Sequence, residues 1–327
     1  MGYPINPEIL QSIVQKGFYD GVAAAENERL FPRICMDQTQ KELTELDVSF
    51  GSVPEPTQFS GKSAAKLREY KELKDYKLTC TLVEWEDSVD MPRIVLQSNP
   101  EQGARIASNL GQKVSVFYDK RLLQQMANNP NSYDAQAWFS TTHNESGSNQ
   151  INTASTNIAA TATPFTPTGT ELETSLTAML AGLKNLTDDQ GTPVNEGVST
   201  FTAIIPPDFE WIFKTVLDPK MAGQAVDASG VTGRFRGIVN YVVSAYCTST
   251  GSVGGTVDRF YVVANNTMFK PATLRRLEDQ QQWDIKTNIG AASAADPWNH
   301  GLAMFTGYCP FEIFPWDWKT IFRQVYT

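Results

Sequence analysis

The chain has 327 residues, of which 41% are hydrophobic and 19% are charged. This balance is typical of a folded protein long enough for two domains or one elaborated domain. Its formal net charge is −9, and no run of five or more Lys or Arg residues occurs in it. Because such a chain repels polyphosphate at long range, a dedicated DNA- or RNA-reading function is disfavoured.

Residues 1–55 are predicted to form an N-terminal arm rather than a domain. A short stretch has apolar residues at helical spacing, namely Ile9, Ile13, Phe18 and Val22. The sequence after it is mixed and polar, and Pro54 and Pro56 mark its end. An arm of this kind is ordered by what it binds, so we expect it to lie along a neighbouring copy of the chain. The predicted anchors are Ile9, Ile13, Phe18, Leu30 and Phe31.

Residues 56–96 are predicted to form an extended loop. The stretch 62–77 is rich in charged residues and poor in apolar ones, and a period-two pattern typical of a strand follows it over residues 76–83. A ribbon with this much charge cannot readily stabilise itself as a core element, so we expect another subunit to order it. The residues predicted to make contacts between subunits are Lys62, Lys66, Lys71, Lys74, Glu84, Glu86 and Asp87.

A long helix is predicted over residues 98–129. Ser98 and Asn99 followed by Pro100 have the form of a helix start, with proline at the first helical position. Apolar residues then recur at roughly helical spacing, namely Ile106, Leu110, Val114, Phe117, Leu122 and Met126. At 1.5 Å per residue the helix would span on the order of 42 Å. It is therefore expected to act as a spine along which other elements pack.

The rest of the chain mixes helix and strand patterns without an alternating βαβ order or an internal repeat, which predicts an α+β protein. Residues 144–169 have the composition of a loop, and Thr170 with Glu173 is predicted to form the capping box of an amphipathic helix. Residues 201–205 are predicted to be a buried strand, and residues 206–208 to open a second helix. Further strands are predicted over residues 238–246, 260–263, 302–305 and 311–314.

The sequence offers little for catalysis. Gly61-Lys62-Ser63 resembles the end of a phosphate-binding loop, but Pro56 stands where the first glycine of that motif is required. The two histidines, His143 and His300, have no partners at a recognisable catalytic or metal-binding spacing, and His143 is expected to be buried or to cap a turn. No catalytic, cofactor-binding or metal-binding residue is predicted, and the chain is not expected to be an enzyme.

Carboxylates cluster around Trp85. They are Glu84, Glu86, Asp87 and Asp90. Such a cluster could perform acid–base chemistry or bind a hard cation. Because it follows a basic stretch, a salt-bridge surface between subunits is the preferred interpretation. The aromatic stretch 311–318 has acidic neighbours and no cations within it, so packing in a core or interface is favoured over stacking on bases.

The four cysteines lie far apart, and no pair has the C-x-x-C spacing of a redox or zinc site. They are Cys35, Cys80, Cys247 and Cys309, and we expect them to be small buried hydrophobes. Residues 1–10 lack the features of a secretory signal, and no segment approaches the roughly 20 apolar residues of a membrane span. We therefore expect a soluble protein that folds in a reducing cytoplasm and has no membrane partner.

This order of features resembles the major head subunit family of Mu-like prophages, which has the Hong Kong 97-type capsid fold. The resemblance runs from about Phe18 to the end of the chain and lies in sequence character rather than in one diagnostic motif. It is carried by Phe59-Ser60-Gly61, residues 76–90 with their acidic cluster, residues 137–143, residues 203–210, and Phe269-Lys270-Pro271 with Arg275-Arg276.

The resemblance implies a division of the chain into an arm (1–55), an extended loop (56–96), a peripheral domain with the spine helix (97–165 and 256–327) and an axial domain (166–255). It also implies a major capsid protein that assembles with itself, as hexamers and pentamers, into the icosahedral shell around the double-stranded DNA of a tailed phage. This assembly would take place in the host bacterial cytoplasm, without a cofactor and without sequence-specific DNA binding.

The implied partners are a portal protein, a scaffolding protein and, optionally, decoration proteins. Scaffolding is expected from a separate protein, because residues 1–55 contain no sustained heptads of the kind that a fused scaffolding helix needs. Two alternatives stay open at this point. An encapsulin-like cargo compartment would use the same fold, whereas a monomeric binding module or hydrolase would belong to a different class and would need a polar constellation that we do not find.

Overall fold

A computed structural model of the chain describes residues 7–26, 29–50, 74–145, 147–158, 166–217, 235–266, 269–280, 282–288 and 302–327. The chain divides into two compact units, and each unit is built from three separate stretches of sequence. Unit 1 comprises Met1–Glu45, Cys80–Leu122 and Leu274–Ile313. Unit 2 comprises Leu46–Thr79, Leu123–Thr273 and Phe314–Thr327.

Helices and strands are mixed along the chain, which confirms the predicted α+β class. The helices are α1 (Pro7–Glu26), α2 (Phe31–Ile34), α3 (Arg93–Ser98), α4 (Pro100–Asn128), α5 (Gly169–Asn185) and α6 (Glu210–Leu217), with 3-10 turns at Pro207–Phe209 and Trp318–Thr320. The strands are β1 (Cys35–Gln40), β2 (Thr44–Phe50), β3 (Asp75–Thr81), β4 (Val83–Pro92), β5 (Thr153–Thr156), β6 (Phe201–Ile205), β7 (Val239–Val243), β8 (Arg259–Ala264), β9 (Ala272–Leu277), β10 (Asp284–Asn288), β11 (Leu302–Pro315) and β12 (Ile321–Tyr326).

The sheet of unit 1 has the strand order β1-β9-β11-β10, and β4 also pairs with β11. β4 runs antiparallel to β11 over its full length, from Val83 opposite Phe311 to Pro92 opposite Leu302. One face of this pair packs on α4, where the ring of Trp85 lies 4.9 Å from the ring of Phe117. The core of unit 1 therefore lies between the sheet and the predicted long helix, which is confirmed as α4.

α1 packs against α4 at backbone distance. A Cβ atom added to Gly17 would lie 2.6 Å from the carbonyl oxygen of Ala104, and one added to Gly21 would collide with the carbonyl oxygen of Ser108. Only glycine permits so close an approach between two helices. Of the predicted anchors of this segment, Phe18 is fully buried within unit 1, whereas Ile9 is 53% exposed.

Asp119, in the middle of α4, holds the start of α2. Its carboxylate accepts hydrogen bonds from the backbone N–H groups of Leu30 and Phe31 at distances from 2.9 to 3.2 Å, and it lies 3.7 Å from the Arg29 guanidinium. Burial raises the pKa of Asp119, while the two N–H groups and Arg29 act in the opposite direction. The chain reversal between α1 and β1 thus depends on a carboxylate supplied by the spine helix.

The sheet of unit 2 has the order β5-β12-β8-β6-β7. All five residues of β6 are buried, as the apolar run 201–205 predicts. α5 buries one apolar side against this sheet, where Gly182 approaches the ring of Phe322. α6 adds Phe213, whose ring lies 5.4 Å from that of Phe260. Unit 2 is therefore a mixed sheet covered by two helices.

Side-chain amides organise the segment that follows α4. Asn129 has a φ of 54°, and its side chain bonds Phe139 twice, accepting from the backbone N–H at 2.7 Å and donating to the carbonyl oxygen at 3.1 Å. Asn152 accepts from the Ser140 N–H at 2.8 Å and donates to the Trp138 carbonyl oxygen at 2.7 Å. These bonds order the loop together with two isolated antiparallel bridges, Asn131 with Ala137 and His143 with Gln150.

Three sequence predictions need correction. The capping box of α5 is Thr168 with Glu171, not Thr170 with Glu173, because both pairs have the required spacing and Thr168 is the residue with extended backbone. The separate strands predicted over 302–305 and 311–314 are one strand, β11, since β4 pairs with it without a break from Leu302 to Phe311. Residues 35–50 belong to the predicted arm, for which no strand was predicted, and they contain β1 and β2.

Candidate assembly surface

β4 places the predicted carboxylates on two different faces of the sheet of unit 1. Glu84, Glu86 and Asp90 stand at even positions and are exposed. Asp87 stands at an odd position, opposite Gly307 and on the same face as Trp85. Since side chains of a strand alternate between faces, the four carboxylates cannot form one surface. The interpretation of Asp87 as a member of the same contact surface is therefore not supported by its position.

Trp85 fixes which face of β4 is buried. Its Nε1–H donates to the carbonyl oxygen of Phe311 at 3.0 Å, and its ring contacts those of Phe117 and Phe311. The guanidinium of Arg121 lies 5.1 Å from the centre of the Trp85 ring. The aromatic contacts hold the odd side of β4 against the core, so Glu84 and Glu86 are directed away from it.

Tyr308 of β11 lies beside the exposed carboxylates. Burial raises the pKa of its phenol, and a hydrogen bond with Glu84 raises it further. The ammonium group of Lys286, from β10, lies 5.4 Å from the centre of the Tyr308 ring. The exposed face of this sheet is thus polar, with its carboxyl groups concentrated along β4 and Lys286 close to Tyr308.

The predicted lysines have different outcomes. Lys74 donates from Nζ to the carbonyl oxygen of Glu145 at 3.0 Å, so it has a partner within unit 2. Lys62, Lys66 and Lys71 lie outside the described residues. The structure therefore brings Glu84 and Glu86 together on one surface, and it assigns Lys74 a contact within its own chain.

A buried ionic cluster, which sequence reasoning missed, surrounds Lys319 in unit 2. Its ammonium group lies 2.6 Å from the Tyr133 hydroxyl, 2.8 Å from a Glu145 oxygen and 3.4 Å from an Asp317 oxygen. Burial alone would lower the pKa of Lys319, but Asp317 and Glu145 outweigh it and raise that pKa. Burial also raises the pKa of Glu145. A cation already compensated by two carboxylates is a structural feature rather than a nucleophile.

His143 is fully buried, as predicted. Its Nδ1 lies 2.5 Å from an Asp134 oxygen, and its Nε2 lies 3.3 Å from the Trp138 carbonyl oxygen. The imidazole stacks on the Trp318 indole with a centroid distance of 3.9 Å and an interplanar angle of 2°. With both nitrogens engaged and one face of the ring covered, this histidine is held as a packing element of unit 2.

The rest of the described chain offers no reactive site. Within the described ranges, no group of three or more His, Cys, Asp or Glu residues could hold a metal ion. All four cysteines are buried and are not joined in disulfides, which confirms their predicted burial, and burial raises the pKa of Cys309 to about 11. No helix among the described residues has the length and apolar content to cross a bilayer.

Comparison with known proteins gives a family and a fold. Residues 103–324 match the model of a family described as phage capsid protein. A search of curated proteins gives no match.

Several solved capsid structures are similar to the chain. The capsid subunit of cyanophage P-SCSP1u aligns with a TM-score of 0.59 and 12% identity, over 91% of this chain and 88% of that one. The mature capsid subunit of bacteriophage PhiM1 aligns with a TM-score of 0.55 and 13% identity, over 91% and 87%. The virus-like particle from Pyrococcus furiosus aligns with a TM-score of 0.51 and 9% identity, over 96% and 98%. These likenesses confirm the predicted Hong Kong 97-type capsid fold.

The family match begins within α4 and ends within β12, so it covers most of the spine helix, the sheet of unit 2 and strands β9, β10 and β11 of the sheet of unit 1. The features described above agree with a structural protein that functions through contacts between its surfaces. They are the exposed carboxylate face of β4, the buried ionic cluster and the buried histidine. Because the family model matches more than half of its length, this chain belongs to the phage capsid protein family.

Proposed function

We propose that this capsid protein is the major head protein of a tailed bacteriophage and that its copies assemble, as hexamers and pentamers, into the icosahedral shell around double-stranded DNA. The observation that carries the proposal is the family match over residues 103–324. Within that family we propose the Mu-like prophage group, on the strength of the sequence stretches 76–90, 137–143 and 203–210.

The proposed partners are a portal protein, a separate scaffolding protein and optional decoration proteins. Assembly in the host bacterial cytoplasm is supported by four buried cysteines that form no disulfide, since structural disulfides are rare in reducing compartments. The net charge of −9 supports a shell that encloses DNA without adhering to it or reading its sequence.

We propose the same division of the chain as before, into an arm (1–55), an extended loop (56–96), a peripheral domain (97–165 and 256–327) and an axial domain (166–255). The 29-residue helix α4 supports the role of a spine in the peripheral domain. Glu84 and Glu86 are exposed, and we retain them as proposed contacts between subunits. The roles of Lys62, Lys66 and Lys71 in such contacts stay predictions.

A catalytic role is not proposed. Lys319 and His143, the groups whose chemistry is most distinctive, are both buried and paired within unit 2. Both side chains are part of the core of unit 2. A substrate could reach either one only by displacing its hydrogen bonds and ring contacts.

An encapsulin-like cargo compartment is the second candidate. It would use the same fold, and the likeness to the Pyrococcus furiosus virus-like particle, at 9% identity, does not separate it from a phage shell. The family match favours the phage shell, so the cargo compartment stays the alternative.

Size-exclusion chromatography and negative-stain microscopy of the purified chain test the proposal. We expect ring-shaped capsomers or closed shells, and particles from infected or induced cells should contain DNA together with portal and tail proteins. A chain that stays monomeric at every concentration would contradict the proposed function, and shells that contain a cargo enzyme instead of DNA would favour the second candidate.

A further inference from the structure

Two arginines lie side by side on one face of the sheet of unit 2. In the antiparallel pair of β8 and β12, Arg259 lies opposite Val325 and Arg323 lies opposite Tyr261. Residues two positions apart on a strand share a face, so the two arginines are diagonal neighbours, at a spacing of about 7–8 Å. Phe322, the neighbour of Arg323 in sequence, contacts α5 on the other face. Both guanidinium groups therefore lie on the face that α5 does not cover.

Arg259 is compensated by the carboxylate that precedes it. Its Nε donates to Oδ1 of Asp258 at 2.7 Å, and its Nη2 donates to Oδ2 at 3.0 Å. The two side chains are only 12% and 15% exposed. Burial alone would lower the pKa of Arg259, but its hydrogen bond with Asp258 helps to outweigh burial, so that this pKa is raised. Asp258 is thus committed to Arg259.

Arg323 has no such counter-charge. It is half-buried, its guanidinium carbon lies 4.9 Å from the centre of the Phe139 ring, and its Nε donates to the hydroxyl of Thr153 at 3.1 Å. In the part of the chain that the structure describes, no carboxylate forms an ion pair with it. Burial lowers the pKa of Arg323, and the cation of Arg259 acts in the same direction. The two neighbouring arginines therefore differ in one respect, which is the presence of an anion.

The free donors of Arg323 have the geometry of an oxyanion site. Among the described residues, Nε is the only nitrogen of this side chain that donates a hydrogen bond. The terminal nitrogens Nη1 and Nη2 form a planar fork that matches the two oxygens of a carboxylate or phosphate. Contact with Phe139 and the bond to Thr153 fix the orientation of that fork. Because a partly buried charge without a partner is costly, an anion from outside the chain would bind here favourably.

The charge of the site selects the kind of anion. Two guanidinium groups and one carboxylate, that of Asp258, leave one positive charge, which a monoanion neutralises. A dianion would be repelled by Asp258, and a DNA duplex, with one charge per about 1.7 Å, needs a row of cations. We propose that Arg323, oriented by Thr153 and Phe139, binds a single carboxylate from outside the chain.

Such a carboxylate has two sources, an Asp or Glu side chain of a second copy or a free carboxylate in solution. The first is abundant, since the chain has 36 Asp and Glu residues against 27 Lys and Arg residues. The site goes beyond the proposed function, because binding of a free carboxylate does not require assembly. The two can therefore fail separately.

Acetate labelled with carbon-13 is the probe, and the broadening of its NMR signal by the purified chain measures Kd at constant ionic strength, with chloride as the balancing anion. Arg323→Gln should raise Kd at least about tenfold, because it removes the fork and the charge. Arg323→Lys keeps the charge and the stem on Phe139 but not the fork, so its Kd should stay about threefold or more above the wild-type value. Arg236→Gln, the same change at an exposed arginine of unit 2, is the matched control and should have no effect.

Circular dichroism first establishes that the variants are folded, and Arg323→Lys carries the test if Arg323→Gln unfolds. Equal Kd values for the wild type and the folded Arg323 variants overturn the proposal, as does equal weakening by Arg236→Gln. Tighter binding of sulfate than of acetate, or displacement of acetate by a short DNA duplex, would also overturn it.

The same titration on assembled shells separates the two sources. If a side chain of a second copy fills the site, acetate binding disappears on assembly, and Arg323→Gln raises the concentration needed to form shells. If the ligand is a free carboxylate, shells bind acetate as the unassembled chain does, and Arg323→Gln assembles normally. Failure of the wild-type chain to assemble would refute the proposed function and leave the acetate result standing.

Discussion

Arg121 and Glu312 form a bidentate ion pair inside unit 1. Nε of Arg121 donates to Oε1 of Glu312 at 2.9 Å, and Nη2 donates to Oε2 at 2.6 Å. The Glu312 side chain is 4% exposed, and Oε1 also accepts from the backbone N–H of Ile313 at 2.8 Å. Since Arg121 belongs to α4 and Glu312 to β11, this pair ties the spine helix to the longest strand of the sheet.

Replacing Arg121 with Met should destabilise the protein by about 3–5 kcal/mol, because it leaves the buried Glu312 carboxylate without its cation. The double variant R121M/E312M should recover much of that loss, since two apolar side chains of similar volume need no charge compensation. Urea unfolding followed by fluorescence measures both.

Lys77→Met is the control for this experiment, because Lys77 pairs with Asp75 at a position where both side chains are more than half exposed. Its midpoint of unfolding should equal that of the wild type. If R121M unfolds at the same urea concentration as K77M, the buried pair is not a source of stability.

The contact between α1 and α4 predicts a strong response to one methyl group. Gly21→Ala places a Cβ against the carbonyl oxygen of Ser108, which is backbone and cannot move aside as a side chain can. We expect a loss of about 1–3 kcal/mol from overpacking. Gly197→Ala is the matched control, since a Cβ there meets nothing within 4 Å. Equal melting temperatures for the two variants would contradict close packing of α1 on α4.

The sequence predicts well those elements of the fold that have strong local signals. α4 and β6 were predictable because a proline-marked helix start and a short apolar run are local signals that tertiary structure rarely overrides. β1 and β2 were not, because Cys35–Gln40 and Thr44–Phe50 are short and polar and become strands only by pairing with distant segments.

The candidate surface was predicted in part. Carboxylates near Trp85 could be found from the sequence, but separating Asp87 from Glu84 and Glu86 requires the phase of the strand, which Trp85 sets by packing on Phe117. The cluster around Lys319 could not be found from the sequence, since Glu145 lies 174 positions away in sequence and only the folded chain brings them together.

Asn129 supports a prediction about the end of the spine helix. Its φ of 54° suits glycine or asparagine, and its side chain bonds Phe139 twice. Asn129→Ala should lose both bonds and retain the backbone strain, at a total of about 2–3 kcal/mol. Asn129→Gly should lose the bonds but not incur the strain, so it should be about 1 kcal/mol more stable than the alanine variant. Thermal unfolding ranks the two. An alanine variant at least as stable as the glycine variant would show that the positive φ is not costly.

Asp119 gives the last prediction, which concerns pH. Burial raises the pKa of its carboxyl above the ordinary value of 3.8, so the folded protein binds this proton more tightly than the unfolded chain does. The contribution of this group to stability is therefore present below about pH 3.8 and lost as the pH rises through the raised value. The Asp119→Asn variant has no titrating proton at this position, yet its amide oxygen can still accept from the N–H groups of Leu30 and Phe31. This variant is therefore the reference against which the wild type is measured.

The free energy of unfolding of the wild type minus that of Asp119→Asn should fall as the pH rises from about 4 to about 7. Urea titrations at several pH values measure the difference. Asp119→Ala is the companion variant: it removes the acceptor for both backbone N–H groups and should lie about 1–3 kcal/mol below Asp119→Asn at every pH in that range. A wild-type advantage that grows with pH would mean that the ion pair with Arg29 and the two N–H donors outweigh burial, and that the carboxylate at this position stabilises the fold as an anion.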